Sequence, residues 1–370
     1  MSIDCLVIGS GIIGCAIARE LARRGASVAI VDDRPVGMGA TQASAGVLAP
    51  YIEMRDSTPL LGPAVRSLEL YEEFIRATEA DSGVSIRYGR TGTIDLALDE
   101  EEQRALAATA AVISRLGVDA RLLDAKQARA EEPLASASLV GGLLVPVHAY
   151  VAAPQLTHAL AEAAARRGAR MLEPARVRSI EQRGAGAVVT TDTGELSCGS
   201  VVLAAGSWSG QIHLEGVTAA PPVRPVRGQL MYLKWPGQRL RRITWSSGCY
   251  LVPWDDGTVL LGGTVEEVGF DERTTVAGVQ GLLEAANRVL PVAESAQFIG
   301  ARVGLRPGTS DGLPIIGRSR VLPSLTYATG HYRNGVLLAP LTALLVADAL
   351  LDKRVDPLLA PFAPERFGAL

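Results

Sequence analysis

Residues 5–32, CLVIGSGIIGCAIARELARRGASVAIVD, contain the pattern that decides the fold. An apolar strand at 5–8 runs into GSGIIG, a helical pattern follows at 12–24, and a second apolar strand at 27–31 ends at Asp32. This strand–helix–strand order predicts a parallel sheet. The first glycine permits a tight turn, the second lets a pyrophosphate approach the backbone, and the third lets the helix pack on the strand. The stretch predicts a dinucleotide site, with the pyrophosphate at the helix N-terminus and ribose hydroxyls at the terminal aspartate.

Composition narrows the class of protein. The 370 residues are 48% hydrophobic and 20% charged, which is typical of a folded chain long enough for two domains. Lys plus Arg number 36 against 39 Asp plus Glu, without a basic stripe, so neither nucleic acid nor an anionic membrane is an expected partner. The four cysteines and four histidines lack metal-ligand spacing, so we expect buried, reduced thiols and no metal.

Targeting signals are not evident. The N-terminus lacks the basic region of a signal peptide. The apolar stretch 336–351 is interrupted by Pro340 and Asp348, and we expect it to be too short to span a bilayer. A cytoplasmic location is the resulting expectation.

The remaining patterns predict a mixed architecture. Helices are expected at 68–77, 101–116, 155–167, 276–289 and from 335 onward, and strands at 92–98, 188–191, 201–204 and 326–329. Residues 227–264 alternate as strands separated by turns, which is typical of an antiparallel sheet. The predicted class is α/β (α+β in total), with a Rossmann-like domain assembled from discontinuous segments and a smaller antiparallel-sheet domain.

A small-residue loop follows the second strand and favours FAD over NAD. Residues 39–50, GATQASAGVLAP, interrupt the continuous βα repeats that are usual in NAD domains. Thr41, Gln42 and Ser44 could bond phosphate or ribitol oxygens, while Ala45 and Gly46 would let the backbone approach a flat ring. A flexible surface loop is the alternative interpretation.

Five segments carry a resemblance to a known family. They are GSGIIG, ATQASAGVLAP, VVLAAGSWS at 201–209, GLRPGTSDGLPIIG at 304–317 and GHYRNGVLLAP at 330–340. On these segments the chain resembles the glycine oxidase and D-amino acid oxidase family of flavoenzymes, essentially from end to end, and most of all its bacterial glycine oxidases of thiamine synthesis. The resemblance implies an FAD-binding domain at 1–86, 148–215 and 300–370, and a substrate-binding domain at 87–147 and 216–299.

The resemblance also implies a set of cofactor contacts. With the residues already named, the expected contacts to FAD are Gly9, Gly11, Ile12, Ile13, Gly14, Asp32, Asp33, Arg34, Thr41, Gln42, Ser44, Ala45, Gly46, Val47, Leu48, Val177, Ala205, Gly206, Trp208, Arg306, Gly330, His331, Tyr332, Arg333, Asn334, Gly335, Val336 and Leu337. In the last segment, a helix N-terminus suits the negative charge that a reduced flavin gains. Cys249 does not match the site to which sarcosine oxidases attach their flavin, so non-covalent FAD is expected.

Three residues are expected to handle the substrate. The resemblance assigns Arg306 to the carboxylate of the substrate, which suits the two-pronged geometry of a guanidinium. It places the Tyr250 hydroxyl on the same carboxylate, and Arg333 near the amine or the flavin edge. The alternatives without a role in substrate binding are a surface charge for either arginine and a core position for the tyrosine.

The implied reaction is oxidative deamination of a small amino acid. Hydride transfer from Cα to flavin N5 would give an imine, which hydrolyses to a 2-oxo acid such as glyoxylate, and molecular oxygen would yield hydrogen peroxide. Two positions, Gly248 and Val265, look smaller than in glycine oxidases, so the candidates are glycine or sarcosine and a bulkier N-alkylglycine of a secondary pathway. A dehydrogenase passing electrons to a quinone or partner protein stays an alternative, as does a binding module without activity. A homo-oligomer is expected by analogy.

Overall fold

The structure is a computed structural model that describes residues 3–53, 59–172 and 174–370. Its strands, numbered β1 to β20 in chain order, are Ile3–Ile8, Val28–Val31, Val47–Leu48, Tyr88–Gly89, Thr93–Ala97, Arg121–Asp124, Gly141–Val145, Ala149–Val151, Arg170–Leu172, Val177–Arg183, Gly186–Thr191, Gly194–Leu203, His213–Leu214, Arg224–Lys234, Ile243–Ser246, Cys249–Pro253, Thr258–Gly262, Gln297–Gly308, Ile315–Arg318 and Leu325–Thr329. Its α-helices, α1 to α9, are Ile12–Arg23, Pro50–Glu53, Leu61–Glu69, Tyr71–Ser82, Glu100–Arg115, Ala125–Glu131, Ala153–Arg166, Val276–Val289 and Gly335–Leu351. Short 3₁₀ helices lie at Ala40–Ala43, Gly206–Gln211, Pro291–Ser295, Tyr332–Asn334, Pro357–Phe362 and Pro364–Phe367.

The first sheet contains the predicted parallel core. β1 pairs in parallel with β2 and β12, and β12 pairs in parallel with β20. Alternate residues of β1 enter two separate cores: Val7 packs with helices α1, α7 and α9, whereas Leu6 packs on the opposite face. Because both faces are covered, the strand is apolar along almost its whole length, as expected for parallel strands. This sheet places the β1–α1 turn at its carboxyl edge.

The second sheet is largely antiparallel. Its strand order is β18-β14-β17-β16-β15-β5-β7-β6, and a three-stranded sheet of β3, β8 and β4 lies apart from it. The long strands β14 and β18 pair along their whole length, with Val226 opposite Arg306. The division of the chain into two domains stays a prediction. Strand β18 runs across residue 300, where a boundary between the two predicted domains was expected.

Several predicted elements differ from the observed ones. The single helix expected at 68–77 is two helices, α3 and α4, which meet at Leu70. Strands β3, β4, β6 to β10, β13, β18 and β19 were not predicted. In β10 and in the first half of β18 the side chains are too polar or too exposed to give a continuous apolar run. The helix expected at 276–289 begins and ends as predicted.

The C-terminal apolar stretch was expected to be too short to span a bilayer, and that reason was wrong. Tyr332–Leu351 is helical through Pro340 and is long and apolar enough to cross a membrane, but 72% of it is buried inside the protein. It packs against α1 and α3. Asp348, which is 4% exposed, forms an ion pair with Arg24 at 2.7 Å. These contacts are those of a core helix.

Candidate active site

The β1–α1 turn accepts no side chain at two of its glycines. A Cβ at Gly9 would lie 2.4 Å from the carbonyl oxygen of Ala204, and one at Gly14 would lie 1.9 Å from the carbonyl oxygen of Gly9. Gly9 also has a φ of 107°, which disfavours any other residue. Gly11 caps α1 without a side-chain hydrogen bond, so the backbone N–H groups of the first turn remain largely available to an anion.

Two side chains brace this turn from outside the motif. The Asp32 carboxylate accepts hydrogen bonds from Ser10 N at 2.6 Å and Ser10 Oγ at 2.7 Å. Thr41 Oγ1 accepts a hydrogen bond from Ile12 N at 3.2 Å. Both residues line the cavity beside the turn, so they can support the turn and still contact a ligand.

A cation on an aromatic ring forms part of the cavity wall. The guanidinium of Arg34 lies 4.2 Å from the ring centre of Trp208. Glu272 holds the same guanidinium through two hydrogen bonds of 2.8 and 2.9 Å, and Phe270 packs against Trp208. Glu272 and Phe270 belong to the connection between β17 and α8, so the second sheet contributes to this part of the cavity wall.

The predicted small-residue loop forms one wall. A Cβ at Gly46 would lie 1.7 Å from the carbonyl oxygen of Val151, and Ser44 Oγ accepts a hydrogen bond from Gly46 N at 3.2 Å. Gln42 turns away and donates to the carbonyl of Met38. Leu48 is buried in the core beneath the loop. The loop is therefore an ordered wall, not a flexible surface segment.

Two further segments approach from the first sheet. Val177 lies at a β-bulge in β10 and lines the cavity. Gly206 follows β12 with a φ of 53°, and a Cβ built there would meet nothing within 4 Å. Ser207 Oγ donates to the carbonyl oxygen of Leu305 at 2.9 Å, which ties this segment to β18.

The C-terminal motif places a helix N-terminus at the cavity. Tyr332, with a φ of 48°, begins a 3₁₀ turn that leads directly into α9, whose N-cap Asn334 makes no side-chain capping hydrogen bond. His331 is buried, and its Nε2 lies 3.2 Å from Thr342 Oγ1. Burial lowers the pKa of His331 to about 3, so its ring is neutral near pH 7. Arg333 is exposed and lines the cavity from the same turn.

Tyr250 and Arg306 meet over one glycine. A Cβ at Gly263 would lie 3.1 Å from Tyr250 Oη and 3.3 Å from Arg306 Nη2, and both side chains line the cavity. Arg306 Nη1 donates to the carbonyl oxygen of Thr264 at 2.8 Å. Across the described residues, Arg306 has no ion pair with an acidic side chain, which leaves its charge to an anionic ligand. The two residues are 56 positions apart in sequence and are brought together by the second sheet.

Most predicted site residues lie along this one cavity. Those that line it are Gly9, Gly11, Ile12, Ile13, Asp32, Asp33, Arg34, Thr41, Ser44, Ala45, Gly46, Val47, Val177, Ala205, Gly206, Trp208, Tyr250, Arg306, His331, Tyr332, Arg333, Gly335 and Val336. Gly14, Gln42, Leu48, Gly330, Asn334 and Leu337 are not among its lining residues. Lining residues that were not predicted include Arg176, Arg178, Ser207, Gln211 and Thr329. Ser207 falls inside a quoted motif, but the two arginines follow no sequence signal.

The expectation of an enlarged substrate pocket is not supported. Gly248 lies in the turn between β15 and β16 with a φ of 88°, and its nearest side chain is Ala285 on α8. Val265 is 55% exposed. Neither residue lines the cavity. The glycine is explained by the turn, which requires a positive φ.

Comparison with known proteins defines the class. Residues 4–349 match the family described as FAD dependent oxidoreductase (DAO). The chain is 36% identical over 365 residues to glycine oxidase of Geobacillus kaustophilus (strain HTA426), covering 98% of this chain and 97% of that one. The crystal structure of glycine oxidase from Geobacillus kaustophilus superposes with a TM-score of 0.94 at 35% identity, covering 98% of both chains. Iminodiacetate oxidase from Chelativorans sp. BNC1 gives a TM-score of 0.89 at 28% identity, covering 97% of this chain and 98% of that one.

The chain therefore belongs to the DAO family of FAD-dependent oxidoreductases. The expected α/β fold with a Rossmann-like FAD domain is confirmed, and so is FAD as the cofactor. The residues present fit that cofactor: Gly11 leaves backbone N–H groups in the first turn of α1 for a pyrophosphate, and a Cβ at Gly206, which lines the cavity, would meet nothing within 4 Å, so that position leaves room for a flat ring.

Proposed function

We propose that this enzyme oxidises the amine of glycine or of a small N-substituted glycine such as sarcosine. The observation that carries the proposal is the meeting of Tyr250 Oη and the Arg306 guanidinium over Gly263, inside the cavity lined by the cofactor loops. A fixed guanidinium and a hydroxyl aimed at one point suit a carboxylate. The similarity to a glycine oxidase and to an iminodiacetate oxidase supports the same substrate class.

The side chains orient the substrate, and the cofactor supplies the redox chemistry. FAD, when bound, would supply a two-electron acceptor for the hydride of the substrate Cα and, in an oxidase, a route for those electrons to oxygen with formation of hydrogen peroxide. Arg306 and Tyr250 hold the carboxylate, so the Cα–N bond is presented at a constant position. His331 is buried and its Nε2 faces Thr342, so this ring is not placed to take a proton from the substrate, and we propose that the amine enters already deprotonated. The imine that leaves takes up water to give glyoxylate and ammonia, or an amine when the nitrogen is substituted.

The mode of cofactor attachment follows from the position of Cys249. This thiol is 3% exposed and packs in the core of the second sheet, where burial raises its pKa to about 12. A buried, protonated thiol is a poor nucleophile. We infer that the FAD is bound non-covalently, and denaturation in acid should release all the yellow colour into the supernatant.

The substrate range is tested by anaerobic bleaching of the bound flavin. The panel is glycine, sarcosine, N-ethylglycine, longer N-alkylglycines, iminodiacetate and D-alanine. Fast bleaching by glycine or sarcosine supports the proposal. Bleaching by bulky N-alkylglycines alone would assign a larger substrate, although neither Gly248 nor Val265 enlarges the cavity. A protein that does not bleach with any of these amines would contradict the proposed function.

A dehydrogenase is the second candidate, because the residues that the structure describes carry no feature that selects oxygen as the acceptor. Stopped-flow reoxidation of the reduced enzyme in air-saturated buffer separates the two. Rapid return of the flavin absorbance with one hydrogen peroxide per substrate identifies an oxidase. Slow return that a soluble quinone accelerates identifies a dehydrogenase.

A further inference from the structure

The orientation of Arg306 depends on two backbone carbonyls. Its Nη1 donates to the carbonyl oxygen of Thr264 at 2.8 Å and to that of Arg227 at 3.4 Å. A Cβ at Gly228 would lie 2.4 Å from the guanidinium, so the backbone of β14 runs directly beneath it. Any shift of Thr264 or Arg227 therefore rotates or displaces the guanidinium that is aimed at the substrate carboxylate.

One carboxylate ties those two residues together. Glu266 Oε1 accepts hydrogen bonds from Thr264 Oγ1 at 2.5 Å and from Gln229 Nε2 at 2.7 Å, and its Oε2 accepts one from Arg227 Nη2 at 2.5 Å. The backbones of Glu266 and Arg227 also exchange two hydrogen bonds, of 2.8 and 3.0 Å. We call Arg227, Gln229, Thr264, Glu266 and Thr275 the Glu266 network.

The Glu266 network is buried at its base. Arg227 is 4% exposed and Gln229 is 1% exposed. The Gln229 amide donates to Thr275 Oγ1 and accepts from Thr275 N, both at 2.9 Å, which attaches the start of α8 to the same point. Buried polar groups that satisfy one another in this way are rigid, and the loss of one partner leaves the others unpaired.

The charges of the network are balanced. Arg227 forms ion pairs with Glu266 at 2.5 Å and with Asp271 at 2.9 Å, and Asp271 also pairs with Arg273 at 2.9 Å, which makes two cations for two carboxylates. Burial raises the pKa of Glu266, but hydrogen bonds from Arg227, Thr264 and Gln229 outweigh it and leave the pKa below its usual range. Glu266 is therefore ionised at neutral pH, and the Arg227 cation keeps that negative charge from repelling a substrate carboxylate.

We propose that Glu266 is a positioning residue that holds Arg306 in the geometry required for the substrate carboxylate. The inference rests on the proposed carboxylate-binding role of Arg306. Glu266 acts through Thr264 and Arg227, so its effect falls on substrate binding and not on the cofactor.

The test is Glu266→Gln, which keeps the size of the side chain and removes its charge. We expect KM for the best amino acid substrate to rise about 5- to 10-fold, with kcat and the Kd for FAD unchanged, because the amide keeps one acceptor oxygen and the loss is that of one ordinary hydrogen bond. Acetate supplies a readout without turnover, because its binding perturbs the flavin spectrum, and its Kd should rise by the same factor. The matched control is Glu267→Gln, since Glu267 is the next residue, is exposed and pairs with Arg224 at the surface. It should leave both constants unchanged.

A double variant separates positioning from a general structural effect. If Glu266 acts through Arg306, then Glu266→Gln should add little to the KM of Arg306→Lys. Fully additive effects, or an unchanged acetate Kd in Glu266→Gln, would overturn the inference. If Arg306→Lys itself leaves KM unchanged, the carboxylate role fails first, and the inference falls with it.

A second variant keeps the test decisive if Glu266→Gln does not fold. Thr264→Val removes only the hydroxyl that donates to Glu266 and accepts from Gln229 N. We expect about a 2- to 5-fold rise in the Kd for acetate, and Thr264→Ser, which retains the hydroxyl, should restore the original value. Equal values in both variants would contradict the proposal.

Discussion

The two ends of the cavity are built in different ways. The dinucleotide end depends on backbone shape within one short stretch, since Gly9 lies before α1 and Gly14 in its first turn, and a side chain at either position would meet a backbone carbonyl oxygen. The proposed substrate end depends on side chains from two strands that are not neighbours, Tyr250 on β16 and Arg306 on β18, which come together only because the second sheet places both strands around β17 and β14. A change in the backbone at the dinucleotide end should therefore abolish FAD binding. Each side-chain change at the substrate end should weaken substrate binding only in part.

The largest effect is expected from Gly14→Ala. The added Cβ would lie 1.9 Å from the carbonyl oxygen of Gly9, so α1 must move away from β1. We expect the variant to lose bound flavin, as measured by absorbance near 450 nm per protein. The control is Gly281→Ala, where a Cβ in α8 meets nothing within 4 Å and a small gain in stability is expected. A Gly14→Ala protein with a full complement of flavin would show that the turn is less constrained than the contacts indicate.

Arg306→Lys should have the next largest effect and should spare the cofactor. A lysine places one point charge where the guanidinium offers two parallel donors, so KM is expected to rise about 10- to 100-fold with an unchanged visible spectrum. Arg302→Lys is the control, because Arg302 lies on the same strand, is exposed and stacks on Tyr232. An unchanged KM in Arg306→Lys would remove that residue from the carboxylate role.

Tyr250→Phe tests whether the loss of one polar group at the substrate end weakens substrate binding only in part. The ring would still pack against Trp245, whose centre lies 5.1 Å away, so only the hydroxyl is lost. We expect KM to rise about 5- to 10-fold, which corresponds to the usual net contribution of one hydrogen bond. Steady-state kinetics with the best substrate of the panel provides the measurement. An effect as large as that of Arg306→Lys would instead mean that the two residues act as one unit.

The smallest effect is expected from Glu272→Gln at the dinucleotide end. Glu272 and Arg34 are each about one-third exposed, with side-chain exposures of 31% and 32%, and solvent screens such a pair. We expect the Kd for FAD, measured by flavin fluorescence, to rise about 2- to 5-fold, because Arg34 stacks less firmly on Trp208. Glu284→Gln, on the exposed face of α8, is the control. An FAD Kd that does not change would confine Glu272 to a surface role.

Site residues could be predicted from the sequence where the local backbone conformation requires a particular type of residue. Gly9, Gly46 and Gly206 each stand where the backbone turns with a positive φ, and all three were identified from their motifs. Arg176 and Arg178, on either side of Val177, were missed, because both are exposed arginines that belong to none of the sequence motifs.

Predictions about pocket size failed for a related reason. Gly248 and Val265 were expected to enlarge the substrate pocket, but the first is a turn glycine beside α8 and the second is largely exposed. Their volumes carry no information about the cavity, because volume matters only where a side chain faces the substrate. The direction in which a strand end turns is set by neighbouring strands, which a local motif does not describe.

The sequence by itself determined the class of fold, the dinucleotide turn and the cofactor. These depend on steric limits and on periodicity that act over a few residues, and such limits are written directly in residue type and spacing. Only the tertiary structure decided that Tyr250 and Arg306 meet over Gly263, and that Glu266 braces the arginine through Thr264 and Arg227. Those contacts arise from the register between long strands, and register is set by the packing of the whole sheet.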